Sequence, residues 1–548
     1  MNQLQSAEPA RNQLCSCGSG VKYKHCCAKK SATPTKDYVS LLQDARHHAF
    51  QRKDFAAAEH CYRQVLILKP NNAEALAGVG QGLFWRHRRA EARSYMQKAA
   101  KVLLRQPEKT EVAILLDLAE QLQLWGELIL ALQLARAVLK RQPQHLAAQY
   151  ALAASLHRLN HLDQAIAALQ KLLKQDPSNA SSQILMAVLE FDNKQAPQAA
   201  LRLQNLLAVE KTPLQRARAL LELSRVYDKL ARFDEAFSAF TQAGELQRQL
   251  PANAQIDSDY IFKKIALYQQ GFDDALLKRW RKSDFADDLP GPVFLIGFLR
   301  SGTTLTEQVL AAHSDIIATD ENQLLNEVTQ ELERLTGIRA DSIAALRACS
   351  LQQAQQLRQF YWQRAAEEYT PDIYAKVFVD KVALNSIETG LISVLFPDAK
   401  ILFALRDPRD ICLSCAMQAF SPTVATINLL SWQGIARQYD AVMNLWLSLR
   451  PRIGCEYLEL RYEDTVTDFE AVFRQVFTFL GVEWQEQVSR YHQGVAGKIV
   501  STPSFSAVSQ PIYQSALARW RHYQSYYASV LPLLQPYIEA FGYLESDH

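Results

Sequence analysis

The chain has 548 residues, of which 48% are hydrophobic and 21% charged, with a net charge of +3. That length points to about three or four domains, and so small a net charge does not suggest a general nucleic-acid binder. No apolar run reaches membrane-spanning length, since the most hydrophobic stretch, 112–139, is interrupted by Asp117, Glu120 and Glu127. Met1 to Glu8 have neither the basic start nor the apolar stretch of a signal peptide, so a cytoplasmic protein is expected.

Residues 15–27 read Cys-Ser-Cys-Gly-Ser-Gly-Val-Lys-Tyr-Lys-His-Cys-Cys and hold four of the chain's nine cysteines. Four thiolates around a tight turn, on a segment too short to bury a core, suit tetrahedral zinc in a reducing compartment. The segment resembles the SEC-C zinc motif. That resemblance implies Cys15, Cys17, Cys26 and Cys27 as Zn²⁺ ligands, with His25 a possible substitute. Lys22, Lys24, Lys29 and Lys30 make this knuckle basic, suited to an acidic partner. The motif is assigned to residues 1–30, and 31–37 is read as a linker.

Prolines recur at Pro70, Pro107, Pro143, Pro177 and Pro213, at intervals of 37, 36, 34 and 36 residues, among alanine- and leucine-rich helical patterns. In each unit a small residue precedes an apolar one by four: Ala58 and Tyr62, Ala92 and Met96, Ala131 and Ala135, Ala165 and Leu169, Ala236 and Phe240. This spacing puts both on one helix face, where the alanine lets a paired helix approach. The pattern resembles tetratricopeptide repeats, about six over 38–250, with the fifth poorly formed around Pro197. Such a solenoid presents a face suited to a protein or peptide.

A connecting segment, 251–291, leads to a third region at 292–540. There an apolar run from Val293 enters a turn bounded by Gly297 and Gly302, followed by a hydroxyl-rich helix. Loop amides and a helix N-terminus make an anion site. The spacing is that of a Walker loop, but Thr303 stands where the lysine would be and Arg300 is the nearest cation. A second strand and turn follow at Lys400–Leu405, with Arg406, Arg409 and then Ser414. In a parallel α/β sheet both turns lie at one edge, so two anion sites imply a ligand with two separated phosphates.

This pair resembles the nucleotide elements of sulfotransferases that use 3′-phosphoadenosine 5′-phosphosulfate (PAPS). Further matches are His313-Ser-Asp, Asp380-Lys381, Leu460–Asp464 with Phe479-Leu-Gly481, and Gln510–Tyr513 followed by Arg519-Trp520-Arg521. Together they are most similar to tyrosylprotein sulfotransferases and bacterial relatives fused to tetratricopeptide repeats. One departure is Leu299, where many such loops have proline. The resemblance implies that Arg300, Ser301, Gly302, Thr303 and Thr304 hold the 5′-phosphosulfate and that Arg406 and Ser414 hold the 3′-phosphate. It also places Tyr462 and Ser504 in the cofactor site, and makes Glu321 the general base with Lys381 and Arg300 as charge stabilisers. Local rivals stay open: Glu321 could belong to a helix start, and His313 could be the base.

The expected architecture is multidomain: a zinc knuckle, an all-α tetratricopeptide-repeat solenoid, and a C-terminal α/β, P-loop-like, parallel-sheet sulfotransferase domain. The expected activity is sulfuryl transfer from PAPS to a hydroxyl, tyrosine-like and on a protein or peptide presented by the repeats. Alternatives are a scaffold with a degenerate transferase domain, sulfation of a carbohydrate or small molecule, and a P-loop kinase.

Overall fold

The computed structural model describes residues 37–85, 88–319, 321–492 and 516–544. The SEC-C cysteines, Ser504 and the 510–513 signature lie outside them. The chain divides after Leu118 into two compact units.

In the first unit, helices Tyr38–Arg46, Phe55–Leu68, Ala73–Trp85 and Arg89–Arg105 pack in sequence. Ala58, Tyr62, Ala92 and Met96 are buried as their spacing predicts. A Cβ at Gly78 would stand 2.2 Å from the Tyr62 ring, so this helix crossing needs glycine.

The second unit continues the helical pattern. Helices Leu128–Arg141, Leu146–Arg158, Leu162–Gln175, Ala180–Asp192 and Ala196–Val209 lead to α1 (Pro213–Lys229) and α2 (Phe233–Gln249). The pair around Pro197 is regular, which corrects the expectation of a poorly formed fifth repeat. Pro197 sits in the first turn of Ala196–Val209, where its missing N–H would have had no helical partner. Ala199 and Leu203 repeat the four-residue spacing and are fully buried.

Five strands follow: β1 (Val293–Gly297), β2 (Ile316–Ala318), β3 (Val377–Lys381), β4 (Lys400–Leu405) and β5 (Glu456–Arg461). Their order is β2-β3-β1-β4-β5 and every neighbouring pair is parallel. All five residues of β1 are buried, the mark of a central parallel strand covered on both faces. Alternation divides its side chains between those faces. Phe294 and Ile296 join one cluster with Phe403 and Trp446, whose rings stack at 4.0 Å. Val293 and Leu295 join another with Leu305, Val309, Phe473 and Phe477. Burying each such side chain contributes about 1.5–3 kcal/mol.

The first of these clusters is continuous from Ile184 in the repeats to Tyr543. Phe237 and Phe240 of α2 pack against Trp432, the first residue of helix Trp432–Leu449. The segment before β1 is tied down by Arg358, which is fully buried and donates to Asp287 at 2.8 Å and to Asp398 at 2.9 Å.

Candidate active site

After β1 the chain turns through residues 298–302 into α3 (Thr303–Ala311). Gly302 takes φ +100°, and a Cβ there would lie 2.8 Å from Tyr462 Cδ2. Arg300 is held in the left-handed region at φ +69°, which costs a residue with a side chain roughly 1–2 kcal/mol. Two contacts hold it there: Arg406 Nη1 donates to the Arg300 carbonyl at 3.2 Å, and Arg300 Nε donates to Ser414 Oγ at 3.0 Å. Ser301 Oγ, buried, donates back to the Phe298 carbonyl at 2.7 Å. α3 begins without a side-chain hydrogen bond from its N-cap Gly302, and the positive end of a helix dipole favours an anion.

β4 pairs with β1 in register up to Gly297 against Ala404, so the next turn opens beside the first. It leads into α4 (Pro408–Ala416), which carries Ser414. Arg406 is buried, lies 4.7 Å from the Tyr462 ring centroid, and donates from Nη2 to the Ala516 carbonyl at 2.7 Å. Its Nε finds no acceptor among the described residues. A buried guanidinium N–H left unbonded is costly, and an oxygen of an anion would satisfy it. Arg409, singled out from sequence beside Arg406, is committed elsewhere. It bonds Asp407 at 2.8 Å and the Tyr543 carbonyl at 3.0 Å, and lies 3.6 Å from the Trp520 ring.

Lys381 ends β3 fully buried, with its ammonium 3.6 Å from Glu321 Oε1. Glu321 is half-exposed at 48% and holds φ +42°. Main-chain pairing fixes the run: Thr319 N–H donates to the Val379 carbonyl, and Glu321 N–H to the Lys381 carbonyl at 3.1 Å. Asn322 completes the brace, donating from Nδ2 to Asp380 Oδ1 at 2.8 Å and to Thr319 Oγ1 at 3.0 Å. The other Asp380 oxygen accepts from Tyr361 at 3.0 Å. Burial pushes the Asp380 carboxyl up to about 6, against the hydrogen bonds from Asn322 and Tyr361 and the charge of Lys381. The following helix begins at Leu324, whose N–H donates to Asn322 Oδ1, so Asn322 rather than Glu321 serves the helix start. Sequence reasoning named Asp380 only within a signature and missed Asn322 and Tyr361. An aspartate inside an apolar strand was the available sign.

His313 uses both ring nitrogens on main chain. Nδ1 accepts from Asp315 N–H at 3.1 Å, and Nε2 faces the Glu483 carbonyl at 2.8 Å. With Nε2 facing a carbonyl and the Nδ1 lone pair engaged by an N–H, the ring has no lone pair left for an acceptor's proton.

Arg300, Arg406 and Ser414 thus lie with a lysine–glutamate pair at the carboxyl edge of a parallel sheet, an arrangement that can hold an anionic group. Residues 292–486 match the sulfotransferase family, residues 126–189 and 217–250 match tetratricopeptide repeats, and residues 11–29 match the SEC-C motif. The chain thus carries a sulfotransferase-family domain behind tetratricopeptide repeats. It is similar to an uncharacterized protein of Aquifex aeolicus (strain VF5), with 27% identity over 76% of this chain and 53% of that one. It is also similar to the protein-tyrosine sulfotransferase of Drosophila melanogaster, with 24% identity over 42% of this chain and 46% of the other. The chain therefore spans about half the length of these relatives. The solved sulfotransferase domain of the Synechococcus PCC 7002 olefin synthase is similar over 49% of this chain and 100% of its own, at 21% identity and a TM-score of 0.33. No described helix is long and apolar enough to cross a membrane.

Proposed function

We propose that the chain transfers a sulfuryl group from PAPS to a hydroxyl acceptor. The observation that carries this reading is the pairing of Lys381 with Glu321, 3.6 Å apart, at the same sheet edge as the Arg300–Ser414–Arg406 cluster. The donor supplies the activated sulfuryl group. The chain's residues bind, orient and neutralise. Arg300, Ser301, Gly302, Thr303 and Thr304 cradle the 5′-phosphosulfate, while Arg406 and Ser414 take the 3′-phosphate over the Tyr462 ring. Ser504 belongs to the same assignment.

As the acceptor oxygen bonds to sulfur and the sulfur–oxygen bond to the nucleotide breaks, Glu321 takes the acceptor proton, and negative charge grows on the departing 5′-phosphate oxygen. Lys381 and Arg300 stabilise that charge. Sulfuryl transfer asks mainly for positioning and charge neutralisation, which fixed cations and amides provide.

The names of the fly relative and of similar worm and chicken proteins suggest tyrosine as the acceptor side chain. The repeats would present it as part of a protein or peptide. The SEC-C segment is proposed to hold Zn²⁺ through Cys15, Cys17, Cys26 and Cys27. The test of the whole reading is incubation of the full chain with ³⁵S-labelled PAPS and host lysate, followed by identification of the labelled residue. Label in protein hydroxyls supports it, and no transfer to any acceptor sinks it.

A further inference from the structure

The segment 516–527 lies between the candidate donor site and the last repeat. On the donor side, the Ala516 carbonyl accepts from Arg406 and Trp520 N–H donates to Asp410 Oδ1 at 2.9 Å. The Tyr527 hydroxyl donates to the Arg409 carbonyl at 2.7 Å. On the repeat side, Asp228 near the end of α1 accepts from Arg519 Nη2 and from the Tyr523 hydroxyl, both at 2.8 Å. Tyr526 donates to Asp234 at 2.7 Å and stacks on Phe237 with ring centroids 3.7 Å apart.

Between the two anchorages stands Ala518 at φ +52°, a conformation that an alanine keeps only when its surroundings impose it. Tyr523 is fully buried, so removing its acceptor would leave a buried hydroxyl unbonded as well as freeing Arg519. Either change favours relaxation at Ala518 and displacement of the Ala516 carbonyl from Arg406.

We propose that Asp228, in the last tetratricopeptide repeat, is a positioning residue for the donor site, holding segment 516–527 and through it the guanidinium of Arg406. This rests on the reading of Arg406 as a ligand of the donor's 3′-phosphate. The repeat array then serves the donor as well as the acceptor.

The test uses the full chain with Asp228→Asn and Asp228→Ala. Donor KM, acceptor KM and kcat are measured, with the affinity for 3′-phosphoadenosine 5′-phosphate (PAP) read by calorimetry and amide exchange of 516–527 read without nucleotide. The expected result is faster exchange in that segment with β1 and β4 still protected, PAP affinity and donor KM worse by about tenfold, and kcat and acceptor KM nearly unchanged. A merely structural role would lower kcat through loss of active protein and leave KM alone, and that outcome overturns the proposal. Unchanged PAP affinity overturns the proposal but not the donor reading, whereas failure of the wild type to bind PAP overturns both. If the Asp228 variants do not fold, Tyr523→Phe keeps the packed ring and removes one of the two bonds, and the same split between KM and kcat decides.

Discussion

Arg300 Nε donates to Ser414 Oγ at 3.0 Å across 114 residues of chain, so the two strand-and-turn units share one polar cluster instead of forming separate sites. Ser414 therefore orients the loop arginine, and on the proposed reading also offers its hydroxyl to the 3′-phosphate. Ser414→Ala is expected to weaken PAP binding by about tenfold, as for loss of one hydrogen bond to a charged group. Calorimetry against the wild type checks it, and unchanged affinity contradicts it.

Gly302 is fixed by two constraints at once, its φ of +100° and the Tyr462 ring where a Cβ would go. Gly302→Ala should cost about 1–3 kcal/mol of stability and abolish PAP binding, because either the loop or Tyr462 must move. Thermal unfolding with and without PAP measures both effects, the wild type alone gaining stability from the nucleotide.

On the proposed reading, Lys381 is the buried cation at the point where negative charge grows. Lys381→Met, similar in length and uncharged, should lower kcat by about 10²–10³-fold with a smaller change in donor KM. A rise in donor KM with kcat preserved would assign Lys381 to ground-state binding instead.

Asp380 gives a pH signature. Its carboxyl rises from the usual 3.8 to about 6 on folding, chiefly through burial, so between those values the folded state holds more protons than the unfolded one. Stability from this group is greatest below about 4 and is lost as pH rises through 6, by about 3 kcal/mol at most. Asp380→Asn lacks that dependence. The wild type should therefore gain stability relative to the variant as pH falls from 7 to 5. Parallel curves in urea titrations at the two pH values would contradict the burial argument.

Strands β1 and β4 were legible in sequence because both are central and apolar on both faces, which leaves a continuous hydrophobic run ending in a turn. The repeats were legible through the alanine spacing, which is local. Pro197 misled because a proline reads as a breaker until its place in a helix is known, and at the first turn it breaks nothing. The left-handed angles of Arg300 and Glu321 and the Arg300–Ser414 contact are imposed by partners distant in sequence. The bonds of Asp228 to Arg519 and Tyr523 span 291 and 295 residues, and no periodicity records them. Asn322 and Tyr361 escaped for the same reason, since their meaning comes from Asp380.

The central claim is that Glu321, held beside Lys381, accepts the proton of the incoming hydroxyl. Its most direct test is ³⁵S transfer from PAPS to an acceptor hydroxyl by the wild type and by Glu321→Ala, with PAP affinity measured on the same samples. The expected result is a loss of transfer of about 10²–10⁴-fold with PAP affinity largely intact. Full transfer by Glu321→Ala would contradict the assignment.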